Sequence, residues 1–192
     1  SLEAAINSKD PVVDIISTNT NYNIEEKSEE LEHLQRVVLD YPVTDYKIVE
    51  KNGIKIGLFG IMGVEADSNA PMAEVEFTNM VEQSERVTEE LRALGAEVVV
   101  ALSHSGTSSN PKKSEDELLA KAVPDIDVIL SAHSHTLLEE PIVHNNTTIV
   151  SAGRYGQNLG KVVLQPNGDR WEVKQYEIIP ISEQFKEEKT VK

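Results

Sequence analysis

The stretch Asp127-Val-Ile-Leu-Ser-Ala-His-Ser-His-Thr136 joins a short apolar run to two histidines that are one residue apart. Apolar and β-branched residues at Val128-Ile-Leu130 favour a buried β-strand. In an extended backbone, positions i and i+2 point to the same side, so His133 and His135 would converge on one point. The sequence therefore predicts a functional site where this strand ends.

A second segment repeats the arrangement, because the apolar run Val98-Val-Val-Ala-Leu102 leads into Ser103-His-Ser-Gly106. Open α/β sheets place their sites at the carboxyl ends of parallel strands, and imidazole is the commonest metal-binding side chain. A single histidine after a strand is more often a solvated loop residue, so the metal interpretation depends on the two matching segments. We predict that His104, His133 and His135 share one metal centre.

The other two of the five histidines, His33 and His144, lie among polar residues and are expected on the surface.

Three segments together resemble the later motifs of the calcineurin-like metallophosphoesterases, in the branch of 5′-nucleotidases, UDP-sugar hydrolases and 2′,3′-cyclic nucleotide phosphodiesterases. They are Leu102-Ser-His-Ser-Gly106, Asp127 to Thr136, and Ser151-Ala-Gly-Arg-Tyr-Gly-Gln-Asn-Leu-Gly160. The resemblance implies two divalent ions of zinc, manganese, iron or magnesium. By that likeness His104 and His133 would bind one ion, and His135 the other. The family usually has glycine before its His-Ser-His, where this chain has Ser131-Ala132.

The resemblance also implies a fold and a reaction. The expected fold class is α/β, one half of an α/β-β-α metallophosphoesterase sandwich, with a mixed sheet flanked by helices and a C-terminal hairpin. The expected reaction is hydrolysis of a nucleotide-like phosphate ester by metal-activated water. A related sulfur-ester or sugar-nucleotide hydrolase is an alternative. Arg154 either attracts phosphate or ties down a neighbouring loop, and Gly60-Ile-Met-Gly63 is interpreted as a strand exit rather than a phosphate cradle.

The earlier motifs of the family, Asp-x-His, Gly-Asp and Gly-Asn-His-Glu, supply its other ligands. The chain contains no Asp-x-His and no Asn-His, and its only Gly-Asp, Gly168-Asp169, falls in a predicted hairpin turn. The segment Pro11 to Asn19 resembles the strand that follows the absent motifs. We therefore expect residues 1–181 to form the C-terminal part of a catalytic domain, and 182–192 a linker towards a nucleotide-binding domain outside this chain.

Such a chain is expected to be catalytically inactive by itself. The alternative is a non-catalytic domain in which a degenerate histidine cluster binds one zinc ion or none and the acidic surface binds a partner. The residues encoded before Ser1 distinguish the two hypotheses. Half of a sandwich leaves one sheet face uncovered, so we expect either self-association through that face or coverage by the rest of the protein.

The composition excludes several classes of protein. An excess of 33 acidic over 18 basic residues argues against a surface for DNA or RNA, which needs clustered lysine and arginine. The absence of cysteine excludes disulfides and cysteine-based zinc sites. No apolar run is long enough to span a bilayer. The resemblance implies an extracellular, periplasmic or cell-wall protein.

Turn and cap signals predict the remaining elements. A strand is expected at Val12 to Ser17, and a polar surface excursion from Asn19 to about Leu34. Asn52-Gly53 predicts a hairpin between the strands Tyr46 to Lys51 and Ile54 to Ile61. The segment Pro166-Asn-Gly-Asp169 predicts a second hairpin, between Lys161 to Gln165 and Trp171 to Ile179.

Two helices and one further strand complete the prediction. Thr78 is expected to cap a helix with core positions at helical spacing that ends before Gly95; these positions are Met80, Val81, Val87, Leu91 and Leu94. Ser114 to Glu117 has capping-box spacing and begins a helix that Pro124 ends. A strand is expected near Thr147 to Ser151, and Asp125 and Asp127 are expected to lie away from the metal site.

Overall fold

The computed structural model describes residues 14–23, 28–40, 43–69, 71–72 and 74–183. Its elements in chain order are β1 (Ile15–Ile16), β2 (Thr20–Asn21), α1 (Glu29–Asp40), β3 (Val43–Thr44), β4 (Tyr46–Lys51), β5 (Ile54–Met62), α2 (Val64–Ser68), β6 (Glu76–Phe77), α3 (Met80–Ala93), β7 (Val98–His104), α4 (Glu115–Ala122), β8 (Val128–Ser131), β9 (Ile142–His144), β10 (Thr147–Val150), β11 (Asn158–Asn167) and β12 (Arg170–Pro180).

A six-stranded sheet with the order β4-β5-β7-β8-β10-β9 forms the centre of the fold. Strands β5, β7, β8 and β10 are parallel, whereas β4 and β9 pair antiparallel at the two edges. The predicted mixed sheet is therefore confirmed. Because β7 and β8 are parallel neighbours joined through α4, their carboxyl ends lie side by side.

The helices α3 and α4 cover one face of the sheet. Phe59, Val99 and Ile129 on this face pack with Leu91 of α3 and Leu119 of α4, and all five side chains are fully buried. Burying one such side chain stabilises the fold by about 1.5–3 kcal/mol relative to exposure. This apolar layer fixes β7 and β8, the strands that lead to the histidine motifs.

The hairpin of β11 and β12 packs on the opposite face. Its side chains Trp171 and Val173 contact a cluster around Val98 and Val100 near the start of the parallel strands. Nearer the histidine end, Leu102 and Leu130 are 38% and 39% exposed. The predicted C-terminal hairpin is confirmed, and it leaves the histidine end of this sheet face partly uncovered.

Two short pairs of strands lie outside the central sheet. Strand β1 pairs parallel with β3, and β2 pairs antiparallel with β6. Of the strand expected from Val12 to Ser17, Ile15–Ile16 is strand, whereas Asp14 and Ser17 are not, and residues 12 and 13 lie outside the described part of the chain. The tail expected to be a linker is likewise outside the described residues from position 184 onwards.

The two predicted hairpins are confirmed with longer strands than expected at the second. Asn52 and Gly53 both have positive φ, 54° and 80°, as a two-residue I′ turn requires. Gly168 has φ 60° in the turn between β11 and β12.

Two predictions about the ends of α3 are wrong, whereas the predicted start of α4 is confirmed. The cap of α3 is Asn79, whose side chain accepts from the N–H groups of Val81 and Glu82, while the Thr78 hydroxyl donates to the Asn19 carbonyl. Leu94 follows the helix and is 51% exposed, so it is not a core residue. Ser114 is the N-cap residue of α4, as its spacing to Glu117 indicates, but its hydroxyl donates to Glu117 Oε1 and accepts from Ser108 N, and accepts from no N–H group of the helix.

Within the described residues, no helix has the length and apolar character needed to cross a membrane.

Candidate metal centre

The ends of β7 and β8 place two histidine segments next to each other. Ser103 of β7 is in register with Ser131 of β8, and the N–H of Ala132 still donates to the Ser103 carbonyl at 2.9 Å. The two strands thus remain paired up to the residues just before His104 and His133. His104 ends β7, and His133 follows the last of these pairing interactions.

Beyond Ala132 the backbone is not extended. The prediction that His133 and His135 point to the same side of an extended strand is therefore wrong. His133 has φ 68° and His135 has φ 57°, both in the left-handed region. Ser134 N donates to the Ala132 carbonyl at 2.9 Å, closing a three-residue turn centred on His133. Such a turn is strained, and left-handed backbone costs a non-glycine residue about 1–2 kcal/mol. The turn, rather than strand pleating, directs these two side chains.

This turn brings His133 against His104. The distance between His133 Nδ1 and His104 Nε2 is 3.3 Å, and the two rings meet edge to face with centroids 5.0 Å apart. Two nitrogens bound to one tetrahedral zinc ion at ~2.0–2.1 Å would lie about 3.3–3.4 Å apart. The separation of these two nitrogens therefore suits a single metal ion.

His135 lies to one side of this pair and contacts a different residue. Its ring meets the Tyr155 ring edge to face, with centroids 5.3 Å apart. Tyr155 is 77% exposed and has φ 55°. The guanidinium carbon of Arg154 lies over the Tyr155 ring, 5.3 Å from its centroid. The glycine-rich segment after β10 thus brings the Tyr155 ring to the histidine turn, and Arg154 lies over that ring.

The surroundings of His104 favour its neutral form. Partial burial lowers the pKa of His104, and the neighbouring His133 and His135 act in the same direction, while Asp116 acts in the opposite one. Neutral imidazole is the form that binds metals. The electrostatic surroundings are therefore compatible with a ligand role.

Among the described residues, no three histidine, aspartate or glutamate side chains converge closely enough to hold one ion together. The donors that this part of the chain brings together are the two nitrogens of His104 and His133, with His135 as a separate neighbour. Two imidazoles fit two positions of a tetrahedral or octahedral ion, and the other positions need further ligands.

Asn19 supports the end of β5 next to His104, although the sequence predicts a surface excursion from this residue onwards. It is 2% exposed, and its side chain exchanges hydrogen bonds with the backbone of Met62, whose register partner on β7 is His104. A cavity of about 180 Å³ lies beside these residues and is lined partly by Leu102 and His104. Asparagine after a short strand is a weak signal, so this bracing role emerges only from contacts distant in sequence.

The remaining histidines lie apart from this centre. His33 is exposed on α1, as expected. His144 is not an ordinary surface residue, because it is half-buried and its Nε2 lies 2.7 Å from the Glu117 carboxylate. Asp127 precedes β8 at the opposite end of the strand from His133, as predicted, and is bound there to Arg92 and Arg170.

No protein-family model matches the chain. The uncharacterized metallophosphoesterase YunD of Bacillus subtilis is 42% identical over 69 residues, which are 36% of this chain and 14% of that protein. The 2′,3′-cyclic-nucleotide 2′-phosphodiesterase/3′-nucleotidase of Salmonella typhimurium is 26% identical over 159 residues, covering 70% of this chain and 25% of that protein. The matches therefore span a quarter or less of these relatives.

A solved structure of a 5′-nucleotidase precursor from Thermus thermophilus superposes with a TM-score of 0.67 at 24% identity, covering 88% of this chain and 34% of that one. At this identity the likeness establishes the fold alone. The sequence relatives and structural neighbours of this chain are thus metallophosphoesterases of the 5′-nucleotidase and cyclic-nucleotide phosphodiesterase type, and the likeness extends over part of each of those proteins.

Proposed function

We propose that residues 1–181 are part of the catalytic domain of a metal-dependent phosphoesterase that hydrolyses nucleotide-like phosphate esters. The proposal is supported by relatives at the sequence level that are named as nucleotidases and nucleotide phosphoesterases. The observation that carries the proposal is the 3.3 Å separation between His104 Nε2 and His133 Nδ1 at the ends of two parallel strands. Two imidazole nitrogens at this distance suit one metal ion.

In this proposal His104 and His133 bind one divalent ion, and His135 binds the second. Divalent ions supply positive charge that polarises a phosphoryl oxygen and activates water. Histidine nitrogens bind zinc, manganese or iron, so the ligand types leave the identity of the metal open. Magnesium prefers oxygen ligands and would need them in addition to the histidines.

The other side chains around the centre have supporting roles. Tyr155 contacts the edge of the His135 ring, and the ring centroids are 5.3 Å apart. Arg154 lies next to it, exposed, where its cationic group can meet an anionic substrate. Leu102 lines the cavity beside His104 and supplies an apolar surface there.

We further propose that the chain by itself is inactive or nearly so. Two divalent ions repel each other, and the family places a carboxylate between them, whereas this sequence lacks the motifs that supply it. Phosphate release from a panel of nucleotides, measured with added manganese or zinc, tests this point. Turnover at rates usual for enzymes by this chain alone would contradict it.

Zinc titration by calorimetry tests the metal-binding part of the proposal. We expect wild-type protein to bind zinc, and His133→Ala to lose at least about tenfold in affinity because one of two paired nitrogens is removed. His33→Ala is the matched control, since it removes a histidine on α1 outside the centre. Equal zinc affinity of wild type and His133→Ala would contradict the assignment.

A second candidate function is a non-catalytic domain that binds one ion or a partner protein. It is favoured by the finding that no described group of three ligating side chains converges on one ion. Zinc binding by this chain combined with inactivity of the full-length protein on all phosphate esters would support this alternative.

We also propose an extracellular, periplasmic or cell-wall location, supported by the family resemblance, and self-association through the sheet face at Leu102 and Leu130. These side chains are more than a third exposed although they lie on a sheet. Sedimentation of wild type and Leu130→Glu tests the proposed self-association, which the variant should weaken. A wild-type protein that is monomeric at all concentrations would contradict it.

A further inference from the structure

The loop after β7 packs tightly against the turn that carries His133 and His135. Gly106 has φ 91°, and a side-chain carbon at this position would lie 2.9 Å from Ser134 Cβ and 3.0 Å from Ser134 Oγ. Thr107 N donates to Ser134 Oγ at 3.1 Å. Because Ser134 lies between the two histidines, the position of this loop determines the position of the turn.

Asp116 of α4 holds the same loop from the helix side. Its carboxylate accepts from Ser103 Oγ at 2.5 Å and from Gly106 N at 3.1 Å. Its own N–H donates to the Gly106 carbonyl at 3.1 Å. Ser103 and Gly106 lie on either side of His104, so Asp116 fixes the backbone before and after that residue.

Burial of the Asp116 carboxylate lowers the stability of the fold, so packing alone does not explain an aspartate at this position. The residue is 0% exposed, and a buried carboxylate destabilises a protein unless hydrogen bonds compensate the lost hydration. An apolar residue in the first turn of α4 would pack against the core without that cost. The hydrogen bonds of Asp116 are instead directed to the strand end and the loop that carry the candidate ligand.

We propose that Asp116 and Ser134 are positioning residues that keep His104 Nε2 and His133 Nδ1 at the separation needed to bind one metal ion. Neither side chain is proposed as a ligand. The chain of contacts runs from Asp116 to Gly106, and from Gly106 and Thr107 to Ser134. The inference rests on the proposed function, since it assumes that the two imidazoles share an ion. It extends that function by assigning the residues that set the geometry of the pair.

The zinc affinities of Asp116→Asn and Ser134→Ala test the inference. Competition with a chromophoric chelator gives the dissociation constant, with the folded fraction measured in parallel by circular dichroism. Changes in groups that orient metal ligands typically cost about 10- to 100-fold in affinity, and we expect a loss in this range for both variants. Ser134 is exposed, so Ser134→Ala is expected to fold normally and decides the test if Asp116→Asn does not fold.

Asp127→Asn is the matched control. Asp127 is also a buried carboxylate next to the same strands, but it lies at their opposite end and binds Arg92 and Arg170. We expect this variant to lose stability and to keep its zinc affinity. A comparable loss of zinc affinity in Asp127→Asn would show a general effect of destabilisation and would overturn the inference.

A second measurement needs no metal. In long-range ¹H–¹⁵N spectra of the metal-free protein, Ser134→Ala should change the imidazole signals of His133 and His104, because their mutual position changes. Unchanged signals and unchanged zinc affinity in Ser134→Ala would overturn the inference while leaving the proposed function intact. Absence of zinc binding by the wild-type chain would instead contradict the proposed function.

Discussion

Substitution of Asp127 by alanine should destabilise the protein strongly. The Asp127 side chain is 0% exposed and accepts hydrogen bonds from Arg92 Nη2 and Val99 N, both at 2.7 Å. Its other oxygen accepts from Arg170 Nη2 at 3.0 Å and Nε at 3.3 Å. Arg170 begins β12, so this carboxylate joins the C-terminal hairpin to the start of β7 and β8.

Asp127→Ala leaves Arg92 and Arg170 without their shared carboxylate, and this sets the expected loss in the free energy of unfolding. Removing one partner of a buried ion pair costs about 3–5 kcal/mol. The Arg92 and Arg170 side chains are each 26% exposed, so their guanidinium groups regain some hydration, and we expect a value near the lower limit, about 3 kcal/mol, for Asp127→Ala. Asp127→Asn retains an acceptor for Val99 N and should cost less, about 2 kcal/mol.

Urea unfolding followed by circular dichroism measures these free energies, provided that the transition is two-state. The double variant Asp127→Ala with Arg170→Ala isolates the pair, and we expect a coupling energy of at least about 1 kcal/mol. A loss below about 1 kcal/mol in Asp127→Ala, or additive effects of the two substitutions, would refute the reasoning.

Two further predictions concern other contacts. Hydrogen bonds from Ser114 and then His144 lower the pKa of Glu117, so its ionised form stabilises the fold above its ordinary pKa. This contribution is lost as the pH falls below about 4.3 towards the lowered value, and Glu117→Gln should show a flatter dependence of unfolding free energy on acidic pH; parallel curves would contradict this. A methyl group at Gly63 would lie 2.7 Å from Ser105 Cα, so Gly63→Ala should lower the stability by about 1–3 kcal/mol in urea unfolding, and an unchanged midpoint would be the contrary result.

Part of the candidate site was predictable because the sequence marks strand ends clearly. The apolar runs before His104 and His133 form neighbouring parallel strands, so both side chains were expected at one edge of the sheet. The direction of the side chains was not predictable, since His133 and His135 adopt left-handed backbone that is uncommon for residues other than glycine. The contact of His135 with Tyr155 depends on the later chain segment and has no local signal.

The fold shows the same division between local and distant interactions. Asn52-Gly53 predicted its hairpin because both residues tolerate positive φ. The sequence predicts Thr78 as the cap of α3. The Thr78 hydroxyl instead binds Asn19, which is distant in sequence, and no local pattern indicates this contact. The structure has a hairpin of β9 and β10 where the sequence prediction has a single strand, although the doublet Asn145-Asn146 is a turn signal and Asn145 has φ 53°.

The central claim is that His104 and His133 bind the same ion through defined nitrogens. Long-range ¹H–¹⁵N spectra of the imidazoles, recorded before and after addition of one equivalent of zinc, test it most directly. We expect the signals of His104 Nε2 and His133 Nδ1 to shift together, while those of His33 and His144 stay unchanged. Zinc-induced shifts at His33 or His144 with none at His104 and His133 would contradict it.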